Sequence, residues 1–295
     1  IPFDINVTNC YNLYATFKNM TSLTKCPRVR GTINASPMAL NDALSSCYLL
    51  RDIEDLFEPE MLNDFSTYKV TSSYTCPRVL GILTCYSLRK LPSWWKKFKL
   101  NPESTAFPSS AYVIYNGCFS NCSVLDEVLD MPVWTCVAPS TSNMFSGMVN
   151  NNCLLKSFTF ETNEGQPIVA TWKSQTIDMT KNIGYSNSTA SFITGYNGGI
   201  TADKEVKDDA TYQALKNDPD WFTLKTDYSK YNHDSAVETI NSLPDTSAYL
   251  ATAGGTNTIK FKGAAGSKTD GGAINAMTAE ELAVATAKGW TVTLS

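Results

Sequence analysis

Five cysteines recur along the first half of the chain at positions 10, 47, 85, 122 and 153, with gaps of 37, 38, 37 and 31 residues. Each opens a frame of cysteine, then an apolar residue three positions on, then another three further. The clearest copies are Cys47, Leu50, Ile53; Cys85, Leu88, Leu91; and Cys122, Leu125, Val128. The first copy, Cys10 and Leu13, puts Thr16 beside Phe17 in the third slot; the fifth, Cys153, Leu155, Phe158, is one residue short. Met20, Leu23 and Cys26 form a half-step copy between the first two. A period in this range constrains the fold more than any local motif. A short unit cannot bury its apolar side alone, so its copies must stack.

Two further patterns support stacking. CPRVRG from Cys26 and CPRVLG from Cys76 match at five of six positions, 50 residues apart. A small polar residue precedes each frame cysteine: Asn9, Ser46, Thr84, Asn121 and Asn152. In a stack, such residues satisfy the turn backbone of the next coil, where every buried N–H and C=O needs a partner. Each copy therefore reads as one coil, with its cysteine and leucine in a shared internal layer.

The second half changes its vocabulary. Strand-like runs occur at 174–180, 220–226, 257–263 and 289–295, with alternation such as Ile259 and Phe261, or Trp290, Val292 and Leu294. Between them lie helix signals. Ser235 and Glu238 form an S-x-x-E capping box ahead of Val237, Ile240 and Leu243, with Pro244 as the stop. Thr278 and Glu281 form another ahead of Leu282 and Val284, and Gly289 fits the helix end. The expectation is an α/β solenoid of stacked short parallel strands with an irregular or helical convex side, closed by a C-terminal helix-strand capping coil. It divides into cysteine-containing leucine-rich repeats over 1–180 and helix-strand repeats with the cap over 181–295, continuous with each other. The stretch 182–199, rich in Asn, Ser, Thr and Gly, is the expected joint.

Phe119, Cys122, Leu125, Val128 and Ile82, Cys85, Leu88, Leu91, Pro92 give the chain a pattern that resembles the BspA-like leucine-rich repeats of bacterial surface proteins. The ending MTAEELAVATAKGWTVTLS is similar to the closing coil of such arrays in gut bacteria and in proteins encoded by their phages. Together these matches cover about two thirds of the chain. Family repeats run about 20–29 residues, so gaps of 37 or 38 imply insertions on one side of each coil. The resemblance implies an arc used for recognition or adhesion, as part of a larger surface or virion protein, and carries over no catalytic residue.

Composition excludes other classes. At 295 residues, 43% hydrophobic and 18% charged, the chain can bury a large core and is too weakly charged to be disordered. A net charge of -4, with no basic run beyond Lys96, Lys97 and Lys99, argues against nucleic acid as the main partner. No apolar stretch approaches the roughly 20 residues that span a bilayer, so membrane insertion is not expected. The chain begins at Ile1, which suggests a fragment or processed product. The nine cysteines lack C-x-x-C zinc spacing, and even Cys118 and Cys122 read better as buried thiols than as a metal site or cross-link. No metal or cofactor is expected.

Candidate chemistry is sparse. The single histidine, His233, sits before a helix signal and reads as solvent-exposed rather than catalytic. Asp52, Glu54 and Asp55, and Asp126, Glu127 and Asp130, are the candidate acid pairs for polysaccharide cleavage. Mixed charges at the same coil slots favour a solvated strand face instead. In GAAGSKTDGG, Ser267 separates Gly266 from Lys268 and puts the lysine out of phosphate-loop register. The segment favoured for binding is SWWKKFK. Trp94 and Trp95 point to opposite faces if extended, so one is exposed beside Lys96, Lys97, Arg89 and Lys90, ready to stack on a sugar or anchor a protein. The alternative is that both tryptophans pack under the insertion that follows.

The resulting expectation is a non-enzymatic recognition or adhesion module at a bacterial cell surface or virion, binding surface glycan or protein. The alternatives are a purely structural subunit of a larger assembly and a polysaccharide-cleaving solenoid.

Overall fold

The computed structural model describes residues 3–8, 15–31, 43–47, 50–58, 88, 90–93, 122, 125, 128–131, 155–161, 168–180, 231–263 and 272–295. Strands β1 (Asp4–Asn6) and β2 (Arg28–Arg30) pair in parallel, and Val29 continues the ladder to Phe57. Strands β3 (Val128–Met131) and β4 (Ser157–Phe160) form a second parallel pair. A third sheet runs β5 (Thr176–Asp178), β6 (Asn257–Phe261), β7 (Trp290–Leu294), again wholly parallel. Parallel neighbours need a crossover between them, so each strand belongs to a separate pass of the chain.

The passes meet side by side. Phe17 N–H donates to Ala43 O and Asn19 N–H to Ser45 O, residues 26 apart, while Val29 pairs with Phe57, 28 further on. The turn holding Cys47, Leu50 and Ile53 thus lies beside the one holding Met20, Leu23 and Cys26. This differs from the step of 37 or 38 expected from the cysteines. The physical reason is that cysteine fills different slots in neighbouring turns: buried Cys47 stands where exposed Met20 stands, and buried Cys26 where buried Ile53 stands. Thiol and branched alkyl groups are interchangeable as apolar filling. Cys26, Cys47 and Cys122 are buried free thiols, and Leu50, Ile53, Leu88, Leu125 and Leu155 are fully buried around them. Cys47 Sγ donates to Phe17 O at 3.1 Å, a bond between adjacent turns. Cys10, Cys85 and Cys153 lie outside the described residues.

In the second half, helix α1 (His233–Ser242) lies along β4. Its cap is Asn232, whose Oδ1 accepts from Ser235 N–H at 3.0 Å, while Ser235 Oγ accepts from Asn232 N–H at 3.3 Å. This corrects the expected Ser235–Glu238 box: Ser235 is the third residue of the box, not its cap, and Glu238 accepts from Ser157 Oγ at 2.7 Å. Hydroxyls on the buried face of α1 satisfy the edge of β4. Ser235 Oγ donates to Lys156 O at 2.6 Å, Thr239 Oγ1 to Phe158 O, and Ser242 Oγ accepts from Phe160 N–H at 3.1 Å. A helix thereby occupies a strand's flank without leaving the strand's polar groups unpaired.

Helix α2 (Ser247–Ala253) follows, and α3 (Ala279–Ala287) carries the expected box: Glu281 N–H donates to Thr278 Oγ1 at 3.2 Å and Thr278 N–H to Glu281 Oε2 at 2.8 Å. Gly289 ends it with a φ of +82°, and a Cβ there would stand 2.8 Å from Thr246 Oγ1. The strands expected at 174–180, 257–263 and 289–295 form as β5, β6 and β7; the one at 220–226 and the joint at 182–199 lie outside the described residues. The β5–β6–β7 sheet takes strands from both sides of position 180.

One core serves these turns. Phe158, Phe160, Trp172 and Trp290 form a chain of edge-on ring contacts with centroids 5.5, 6.0 and 6.5 Å apart. Fully buried Asn257 accepts from Gln175 N–H at 2.9 Å and donates to Trp172 O at 3.0 Å, stitching two turns together.

Candidate functional site

The alternation of β5, β6 and β7 sorts their side chains into inward and outward rows. Ile177, Ile259 and Val292 are in register on the inner side. On the outer side, Thr176, Thr258 and Thr291 form one row and Asp178, Lys260 and Thr293 the next. Thr291 and Thr293 are exposed and the other four half-buried. Asp178 is turned back on its own chain, its Oδ1 accepting from Thr180 N–H at 3.0 Å and from Thr180 Oγ1 at 2.5 Å. What remains is an array of hydroxyls with one ammonium, at a strand spacing of about 4.8 Å. Sequence reading found these strands but overlooked the rows, because register between distant segments is invisible until they pair.

The N-terminal sheet presents charge instead. Asp4 Oδ1 pairs with Arg28 Nε at 2.6 Å and Glu58 Oε1 with Arg30 Nε at 3.2 Å, so both arginines are neutralised by the neighbouring strand or turn. Arg30 Nη1 also donates to Val29 O at 2.9 Å. Among the candidate acids, Asp52 Oδ1 accepts from Glu54 N–H at 2.8 Å, and Glu54 accepts from Ser93 N–H at 2.7 Å and from Ser93 Oγ. Glu54 therefore ties one turn to another. Asp126 and Glu127 lie outside the described residues, as does the side chain of Asp130.

Of the residues expected to bind ligand, Lys90 is exposed, two positions after fully buried Leu88. Arg89, Trp94, Trp95, Lys96 and Lys97 lie outside the described residues. Pro92 is buried, and Ser93 is the partner of Glu54.

His233 departs from its expected exposure. Its side chain is 20% exposed and stands between two carboxylates, with Nδ1 3.1 Å from Asp234 Oδ1 and Nε2 3.2 Å from Glu281 Oε2. The Asp234 hydrogen bond raises its pKa most; burial opposes, and Glu281 adds to the rise. Glu281 is held below its ordinary value first by the Thr278 backbone N–H and then by His233. The capping box was legible in the sequence, but nothing showed that its glutamate also meets an imidazole 48 residues away.

The thiols of Cys26 and Cys47 are poor nucleophiles. Burial pushes Cys47 up to about 11, and Cys26 is raised further, by burial and then by Asp52 and Asp55. Among the described residues, no helix is long and apolar enough to cross a membrane, and no group of three or more His, Cys, Asp or Glu gathers as metal ligands do. Compared with protein-family models, curated proteins and solved structures, the chain matches none of them.

Proposed function

We propose that this chain is a recognition or adhesion module without catalytic activity, folded as a leucine-rich-repeat-type α/β solenoid and displayed on a bacterial or virion surface. Its ligand is a surface glycan or protein, and the strand face is the binding face. The observation that carries this reading is the pair of outward rows on β5, β6 and β7. Thr176, Thr258 and Thr291 repeat a hydroxyl at strand spacing, and Lys260 adds a cation beside them. A hydroxyl both donates and accepts, so a row of them suits a polymer that repeats hydroxyls of its own. That favours glycan over protein. The segment from Arg89 to Lys97, with Trp94 and Trp95 as stacking groups, is proposed as a second contact.

The test is a glycan array probed with the intact chain, with Thr258→Ala/Lys260→Ala/Thr291→Ala and with Trp94→Ala/Trp95→Ala. Binding that the triple variant loses while its thermal melt is unchanged supports the strand face. Binding that survives in the triple variant and is lost in the tryptophan variant moves the site to Trp94 and Trp95. Absence of binding to every glycan contradicts the glycan reading.

A structural role in a larger assembly is the second reading, and the edge of β7 favours it. Ser295 N–H donates to Phe261 O at 3.0 Å and Ser295 O accepts from Gly263 N–H at 2.8 Å. The backbone groups of Val292 and Leu294 therefore face away from β6, and Leu294 is 37% exposed. Such an edge accepts an added strand from another subunit. Concentration-dependent oligomers that Val292→Pro abolishes, without loss of the monomer fold, identify that role.

A further inference from the structure

We propose that His233 is an acid-tightened latch: its protonated imidazole joins the start of α1 to the start of α3 and holds the turn spanning 272–295 against the turn before it. Both ring nitrogens face carboxylates on different elements, Asp234 on α1 and Glu281 on α3. The imidazolium donates to both; a neutral ring has a single N–H, so one carboxylate then faces a lone pair. The backbone adds a fixed point, since His233 N–H donates to Gly272 O at 3.1 Å.

Among the described residues, the surrounding charges are few. From α1 come Asp234 and, further along, Glu238, which is occupied by Ser157 Oγ. From α3 come Glu281 and the neighbouring Glu280. Residues 272–278 bring no ionisable side chain, and neither does β4, which packs along α1. His233 is the chain's one histidine, and the described thiols of Cys26 and Cys47 titrate well above neutrality.

The sign follows from the raised pKa. The latch contributes fully below the free-histidine value of 6.5 and is lost as pH rises through the higher value of the folded state. Thr291 and Thr293 ride on the latched turn, but the inference does not depend on what they bind.

The test uses the full chain. In an NMR titration, the His233 ring protons should shift with a midpoint above 6.5. Glu281→Gln should lower that midpoint while keeping the cap, because an amide oxygen also accepts from Thr278 N–H. Hydrogen exchange of α3 and β7, corrected for intrinsic rates, should lose protection between about pH 5.5 and 8, and His233→Gln should remove that dependence. A midpoint at or below 6.5, no response to Glu281→Gln, or protection that stays level across the range overturns the latch.

Discussion

Asn257 shows how one side chain decides whether two turns can lie together. It is fully buried and meets a backbone N–H from Gln175 and a backbone carbonyl from Trp172. Asn257→Ala withdraws the side chain and leaves those two backbone groups without it, and a buried polar group that loses its partner costs roughly 1–3 kcal/mol. Denaturant melts should therefore show a loss of about 2–3 kcal/mol; a loss under about 0.5 kcal/mol, the range of surface changes, contradicts the assignment. Leu125 tests the apolar layer in the same way. It is fully buried beside Cys122, so Leu125→Ala should cost about 2–5 kcal/mol in the same assay. The sequence made Leu125 legible through its frame. It gave no hint that Ser235, Thr239 and Ser242 bond to β4, because hydroxyls at helical spacing look like a wet helix face until the strand edge they serve is beside them.

At the scale of elements, the C-terminal helices were legible where local chemistry is self-contained. Thr278 and Glu281 cap α3 as their spacing indicates, and Thr278→Ala should lower the melting free energy by about 0.5–2 kcal/mol. The box before α1 was misplaced because S-x-x-E is a short pattern and both residues are recruited elsewhere. Ser235 serves the carbonyl of Lys156, Glu238 serves Ser157, and Asn232 does the capping. Asn232→Ala should therefore destabilise by a similar amount, about 0.5–2 kcal/mol, while Glu238→Gln leaves the start of α1 intact by amide exchange. The strands were found through alternation. Their outward rows were not, since Thr176, Thr258 and Thr291 are spread over more than 100 residues and become neighbours only through pairing.

For the whole molecule, the cysteine period passes over the turn of Met20, Leu23 and Cys26, which lies beside that of Cys47, whereas the Glu54–Ser93 bond joins residues 39 apart, close to the cysteine step. The omission has a physical cause: inward slots accept Cys, Leu or Ile alike, so a single residue type is a poor ruler. The paired strands are the better ruler, with Ile5, Val29 and Phe57 separated by 24 and 28 residues. The gap from Ile177 to Ile259 shows that a long stretch of chain can intervene between paired turns without breaking the ladder. Loop length adds little to the closure entropy once the ends are close. The whole account rests on parallel, in-register stacking of successive turns. Isotope-edited NOE spectra test it most directly: the account predicts parallel cross-strand contacts joining Ile177 to Ile259 and Ile259 to Val292. Antiparallel contacts between sequence-adjacent segments, with none linking those three residues, would contradict it.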